Sequence, residues 1–127
     1  MKSHTLILSL GSIYGGLSVV IGAFAAHGLK HVLDAKALSW IETAAHYQIV
    51  HAVALLILGF AVKQWPNWKG LQIAGYSFSV GILLFSGSLY LMAATQIKAL
   101  GIITPIGGVA FLIGWAFLLY AALRDTE

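Results

Sequence analysis

The chain has 127 residues, 60% of them hydrophobic and only 9% charged, with a mean hydropathy of +0.91. Soluble domains carry about 25% charged residues, so this surface calls for lipid rather than water as its solvent. The formal net charge of +3 comes from scattered lysines and one arginine, which excludes a nucleic-acid patch and suits contact with anionic headgroups. With no cysteine, disulfides, thiolate metal sites and cysteine nucleophiles are ruled out.

Backbone amides find no partners in a bilayer, so spanning segments must be helices or closed barrels. Alternating ten-residue barrel segments are missing, whereas long apolar runs are present. The first, about 5–26, follows Met1-Lys2 and ends at Ala23-Phe24-Ala25, which mimics a signal peptide with its cleavage site. Its length exceeds the roughly 7–15 residues of a signal core and fits the roughly 20 that a span requires, so it is expected to stay as a membrane helix.

Beyond it, Leu29, Val32, Leu33, Ala37, Trp40, Ile41 and Ala44 recur at spacings of three and four, with Lys30, His31, Asp34, Lys36 and Ser39 between them. This pattern predicts a short amphipathic helix at about 29–38, lying in the interface plane. Ser39-Trp40-Ile41-Glu42 reads as a capping box, so a new helix is expected to start at Ser39 and enter the second span, about 45–63. In "KQWPNWKG" (63–70), proline and asparagine turn the chain while tryptophans and lysines suit headgroup depth. The third span is predicted at about 71–95. The fourth, about 105–123, opens on Thr104-Pro105, read as an N-cap with proline at the first helical position.

The expected fold is an all-α integral membrane protein, residues 1–127 forming one membrane domain with four transmembrane helices and the interfacial segment. Lys2, Lys63, Lys69 and Arg124 share one side against Lys30, Lys36 and Lys98 on the other, a small bias toward cytoplasmic termini. Small residues, among them Gly11-x-x-x-Gly15 and Gly107, Gly108 and Gly114, suit close helix packing within one protomer or between copies.

His51, deep in the second span, is the costliest residue to bury. With successive residues about 100° apart, Tyr47 lies about −40° and Gln48 about +60° from it. Matching depths on the antiparallel third span puts Ser86–Ser88 level with His51 and Tyr90 nearer His46, so a polar layer of His51, Gln48, Ser86 and Ser18 is expected. Ser88, Tyr90 and Tyr47 are further candidates. His27 ends the first span on the side where His46 begins the second, with Glu42 one turn away. His27, His31 and His46 are weak metal candidates with Glu42, and a hydrogen-bonded lock between segments is the favoured alternative. Glu42 itself is expected to cap. No phosphate-binding loop or nucleophile–base set is visible, so neither catalysis nor a cofactor is expected.

"GAFAAHGLK" (22–30) and "ETAAHYQIVHAVALL" (42–56), with "FSGSLYL" (85–91) and "TPIGG" (104–108), resemble the small membrane proteins of the domain-of-unknown-function family 423 (DUF-423) over essentially the whole chain. The matching positions are Gly22, Ala23, Phe24, His27, Gly28, Leu29 and Lys30, then Thr43, Ala44, Tyr47, Gln48 and His51. Ala25-Ala26 departs slightly, where glycine-alanine is common in the family. The resemblance implies a four-helix protein of bacterial inner membranes with no established activity, and groups His27, Tyr47, Gln48 and His51. The functional expectation is a non-enzymatic protein that binds a lipid, a small hydrophobic ligand or a protein partner near the polar layer. The alternative is a small oligomeric channel or carrier using His51. Expected partners are membrane lipids, a second copy or another membrane protein, and not nucleic acid.

Overall fold

A computed structural model describes residues 1–124. Five α-helices build four membrane-length rods among the described residues: α1 (Ser3–His27), α2 (Ala35–Gln64), α3 (Lys69–Gly81), α4 (Gly87–Thr95) and α5 (Ile103–Arg124). A π-helical turn, Ile82–Ser86, joins α3 to α4, so Lys69–Thr95 runs as one rod of 27 residues. Each rod exceeds the roughly 20 residues that cross a hydrocarbon layer.

The two central rods, α2 and α3–α4, bury 44% and 50% of their most apolar stretch, against 17% for α1 and α5. Helix α1 packs on α2, α5 packs on α3 and the π turn, and α1 and α5 do not meet among the described residues. The outer helices therefore turn most of their leucine, isoleucine and valine side chains outward, which lipid solvates without penalty. The main core joins Ile7, Leu55, Leu58, Phe78, Ile82 and Phe111 across all four rods.

Small residues set the separations inside one protomer. A methyl group at Gly114 would stand 2.5 Å from the Phe78 ring, and one at Gly107 would strike the backbone of Phe85 and Leu84 in the π turn. Gly11 lies against Ala52 and Leu55 of α2. Such approaches gain dispersion energy where no hydrophobic drive separates helix from lipid.

The expected interfacial helix is not formed. Leu29–His31 makes one 3-10 turn, and Asp34 then caps α2, its Oδ1 accepting from the Ala37 amide at 2.8 Å. Helix α2 passes through Ser39 without a break, and the Ser39 hydroxyl donates to the Lys36 carbonyl at 2.6 Å. A serine satisfied inside its own helix does not start a new one, and Glu42 has no capping role. The apolar spacing is real but buries protein against protein: Ala37 and Ile41 pack with Ala25 of α1 and Ala93 of α4. Thr104 is likewise not a cap. A 3-10 turn, Lys98–Ile102, leads into α5 at Ile103, and the Thr104 hydroxyl bonds Ser88 at 2.6 Å. Pro105 still falls in the first turn, where its missing N–H is free of cost.

Candidate functional site

The polar residues of α2 enter two separate networks instead of one layer. On one face His51, 4% exposed, points between α3 and α5. Its Nδ1 lies 2.7 Å from the Tyr47 carbonyl one turn back, and the Trp115 indole N–H donates to Nε2 at 3.0 Å. A carbonyl only accepts and an indole N–H only donates, so the complementary form is the neutral ring with hydrogen on Nδ1. Phe111 stacks on the imidazole at 3.7 Å between centroids, and Phe78 meets it edge-on at 5.1 Å. Tyr47, half-exposed at the outer edge, stacks in parallel at 6.2 Å.

On the neighbouring face Gln48 joins three helices. Its amide nitrogen donates to the Tyr14 carbonyl of α1 at 2.8 Å, and its oxygen accepts from the Tyr90 hydroxyl of α4 at 2.6 Å. Tyr14 carries the chain on toward α3, its hydroxyl lying 3.3 Å from the Ser79 hydroxyl. Ser86 emerges from the π turn and donates to the Ala44 carbonyl at 2.7 Å, while Ser88 faces α5 and Thr104. Ser18 donates to the Gly15 carbonyl of its own helix.

These contacts correct the expected depth match. The turn 65–68 is short, so residues roughly equidistant from it oppose each other: His51 faces Phe78, and Ser86 faces Ala44. Tyr90 reaches Gln48 instead of His46. His27, His31, Glu42 and His46 are all exposed, and no hydrogen bond joins them among the described residues. Among those residues no group of three His, Cys, Asp or Glu comes close enough to hold a metal. Among the described residues no hydrogen bond or ring contact joins His27 to Tyr47, Gln48 or His51.

Among the described residues every buried side-chain nitrogen or oxygen has a hydrogen-bond partner. Both networks are thus complete without a ligand, and they fix how the rods pack. Trp115, Phe111 and Tyr14 belong to these networks without a mark in the periodicity of the sequence, and Thr104 joins through Ser88 instead of capping. Trp115 had a readable signal: tryptophan favours the membrane interface, whereas this one lies mid-way along α5, where its N–H needs a partner.

Beside the Gln48 network an apolar groove of about 370 Å³ opens toward the outside of the bundle. Val20, Ile21 and Phe24 of α1, Leu33, Ile41 and Ala94 line it, and Tyr90 brings the single hydroxyl-bearing side chain of the wall. Leu29 completes the lining, and the same 3-10 turn carries Lys30 and His31, both exposed.

Rod length, composition and packing define a four-helix integral membrane protein with a satisfied polar core. The chain belongs to the family described as protein of unknown function DUF423, whose model matches residues 21–108. It is similar to a UPF0382 membrane protein of Haemophilus influenzae, 45% identical over 94% of this chain and 95% of that one. The UPF0382 membrane protein YwdK of Bacillus subtilis is 40% identical over 94% and 97%. The UPF0382 inner membrane protein YgdD of Escherichia coli K12 is 38% identical over 93% and 89%. No solved structure matches the chain. The expected location, a multi-pass protein of a bacterial inner membrane, agrees with these names, and none of the three names a reaction.

Proposed function

We propose that this protein is a non-enzymatic lipid-binding membrane protein whose groove between α1, α2 and α4 holds an acyl chain. The groove itself carries the reading. Its volume falls within the range of about 300–1,000 Å³ usual for small-molecule sites, and its lining is apolar apart from one tyrosine. The Tyr90 hydroxyl is held by Gln48, so the wall is ordered and costs little to arrange around a ligand. Lys30 and His31 stand next to Leu29, ready for the polar end of the occupant.

Transport through His51 has less support. Both ring nitrogens are engaged and the ring is walled by Phe78, Phe111 and Trp115, which leaves no open relay position.

Native mass spectrometry of gently extracted protein tests the groove. The wild type is expected to retain a lipid of reproducible mass, and Ala94→Trp, which fills the exposed rim, to lose it while still folding. Equal lipid retention by the filled variant would overturn the assignment.

A further inference from the structure

A second cavity, of about 470 Å³, lies at the other end of the rods, where α1 begins, α2 ends and α3 starts. Lys2, His4 and Lys63 line it together with Ser3, Pro66 and Gln72. Its wall is tied by a chain of hydrogen bonds. The Tyr76 hydroxyl donates to the Ser3 hydroxyl at 3.2 Å, the Ser3 hydroxyl donates to the Gln72 side-chain Oε1 at 3.3 Å, and the Gln72 side-chain amide donates to the Pro66 carbonyl at 3.0 Å.

Three features of this cavity favour an anion. Lys2 and Lys63 share it, and among the described residues no carboxylate lines it and neither lysine has an acidic partner. Two cations brought together without compensation repel each other, and an anion between them reverses the sign of that interaction. Lys2, the residue before the first turn of α1, supplies no side-chain cap. The amides of Ser3, His4 and Thr5 precede the first intrahelical bond, made by Leu6 to the Lys2 carbonyl, so they remain donors at the positive end of a 25-residue helix. Depth identifies the chemistry. Trp65 and Trp68, stacked at 5.3 Å in the adjoining turn, belong at headgroup level, where the abundant anion is a phosphate ester.

We propose that this cavity binds a phosphate-bearing anion through Lys2, Lys63 and the open first turn of α1. The site is independent of the apolar groove at the opposite end, and a lipid headgroup and free phosphate share the required chemistry.

The full chain is reconstituted in nanodiscs of phosphatidylcholine with and without phosphatidylglycerol, and retained lipid is read by native mass spectrometry. In parallel, detergent-solubilised protein is melted in inorganic phosphate and in chloride at matched ionic strength. The variants are Lys2→Gln/Lys63→Gln, the charge-keeping Lys2→Arg/Lys63→Arg, and Lys36→Gln/Lys98→Gln, which removes equal charge at the opposite end. A preference for phosphatidylglycerol that falls roughly fivefold per lysine removed from the cavity, and survives in the other two variants, supports the site with a lipid source. A phosphate-specific rise in melting temperature with the same variant pattern supports it with free phosphate as the source. Lys63→Gln alone, an exposed side chain in the last turn of α2, serves if the double variant does not fold. Preference for neither anion, or equal loss in the cavity pair and the opposite pair, overturns the proposal.

Discussion

A double-mutant cycle on His51 and Trp115 isolates the one direct hydrogen bond between α2 and α5 side chains among the described residues. Phenylalanine is the replacement at both positions, since it preserves an aromatic ring against Phe111 and Phe78 while removing the polar atoms. His51→Phe strands the Trp115 N–H, and Trp115→Phe strands Nε2 of His51. The double variant strands neither. The Tyr47 carbonyl already serves its own helix, so its loss contributes little. What the cycle retains is the 3.0 Å hydrogen bond and the difference in edge contact between rings 5.7 Å apart. Interhelical hydrogen bonds in membranes average about 0.6 kcal/mol and reach about 1.7. The coupling is expected in the upper half of that span, because neither group has water as an alternative partner. Reversible unfolding by sodium dodecyl sulfate in mixed micelles, followed by circular dichroism, gives the four free energies. A coupling within about 0.3 kcal/mol of zero, the scatter of independent sites, would refute a bonded pair and with it the assigned tautomer.

Gly107→Ala should destabilise by about 1–3 kcal/mol through overpacking against the π-turn backbone, whereas Gly16→Ala, with nothing within 4 Å of the new methyl, should be neutral or stabilising by up to about 1 kcal/mol. The same unfolding assay compares them, and equal effects would contradict the close approach at Gly107. Gln48→Leu should cost about 1–3 kcal/mol by leaving the Tyr90 hydroxyl without its acceptor, and adding Tyr90→Phe should recover part of that loss. Asp34→Ala should cost about 1 kcal/mol as a lost cap while Ser39→Ala changes little. The reverse order would restore a helix start at Ser39.

Composition alone determined the solvent. A chain with so few charges has no water-facing solution, and backbone chemistry in lipid then leaves helices, whose number follows from the apolar runs and the breaks between them. Polarity also marked Gln48, His51, Ser86 and Tyr90 as residues that need partners, because an unsatisfied polar group inside a membrane is expensive wherever the chain puts it. Their partners could not be read in the same way. Hydrogen bonds such as Gln48 to Tyr14 and Trp115 to His51 join residues 34 and 64 positions apart, and they depend on helix rotation and crossing, which local periodicity does not encode. The choice between Asp34 and Ser39 as the start of α2 shows the same limit. Both are good capping residues, and the burial of Ala37 and Ile41 against α1 and α4 extends the helix back to the earlier one. Periodicity identified an apolar face there without saying whether lipid or protein would cover it. Tertiary packing decided that, as it decided that His51 meets aromatic rings of α3 and α5 while its neighbour Gln48 turns toward α1 and α4.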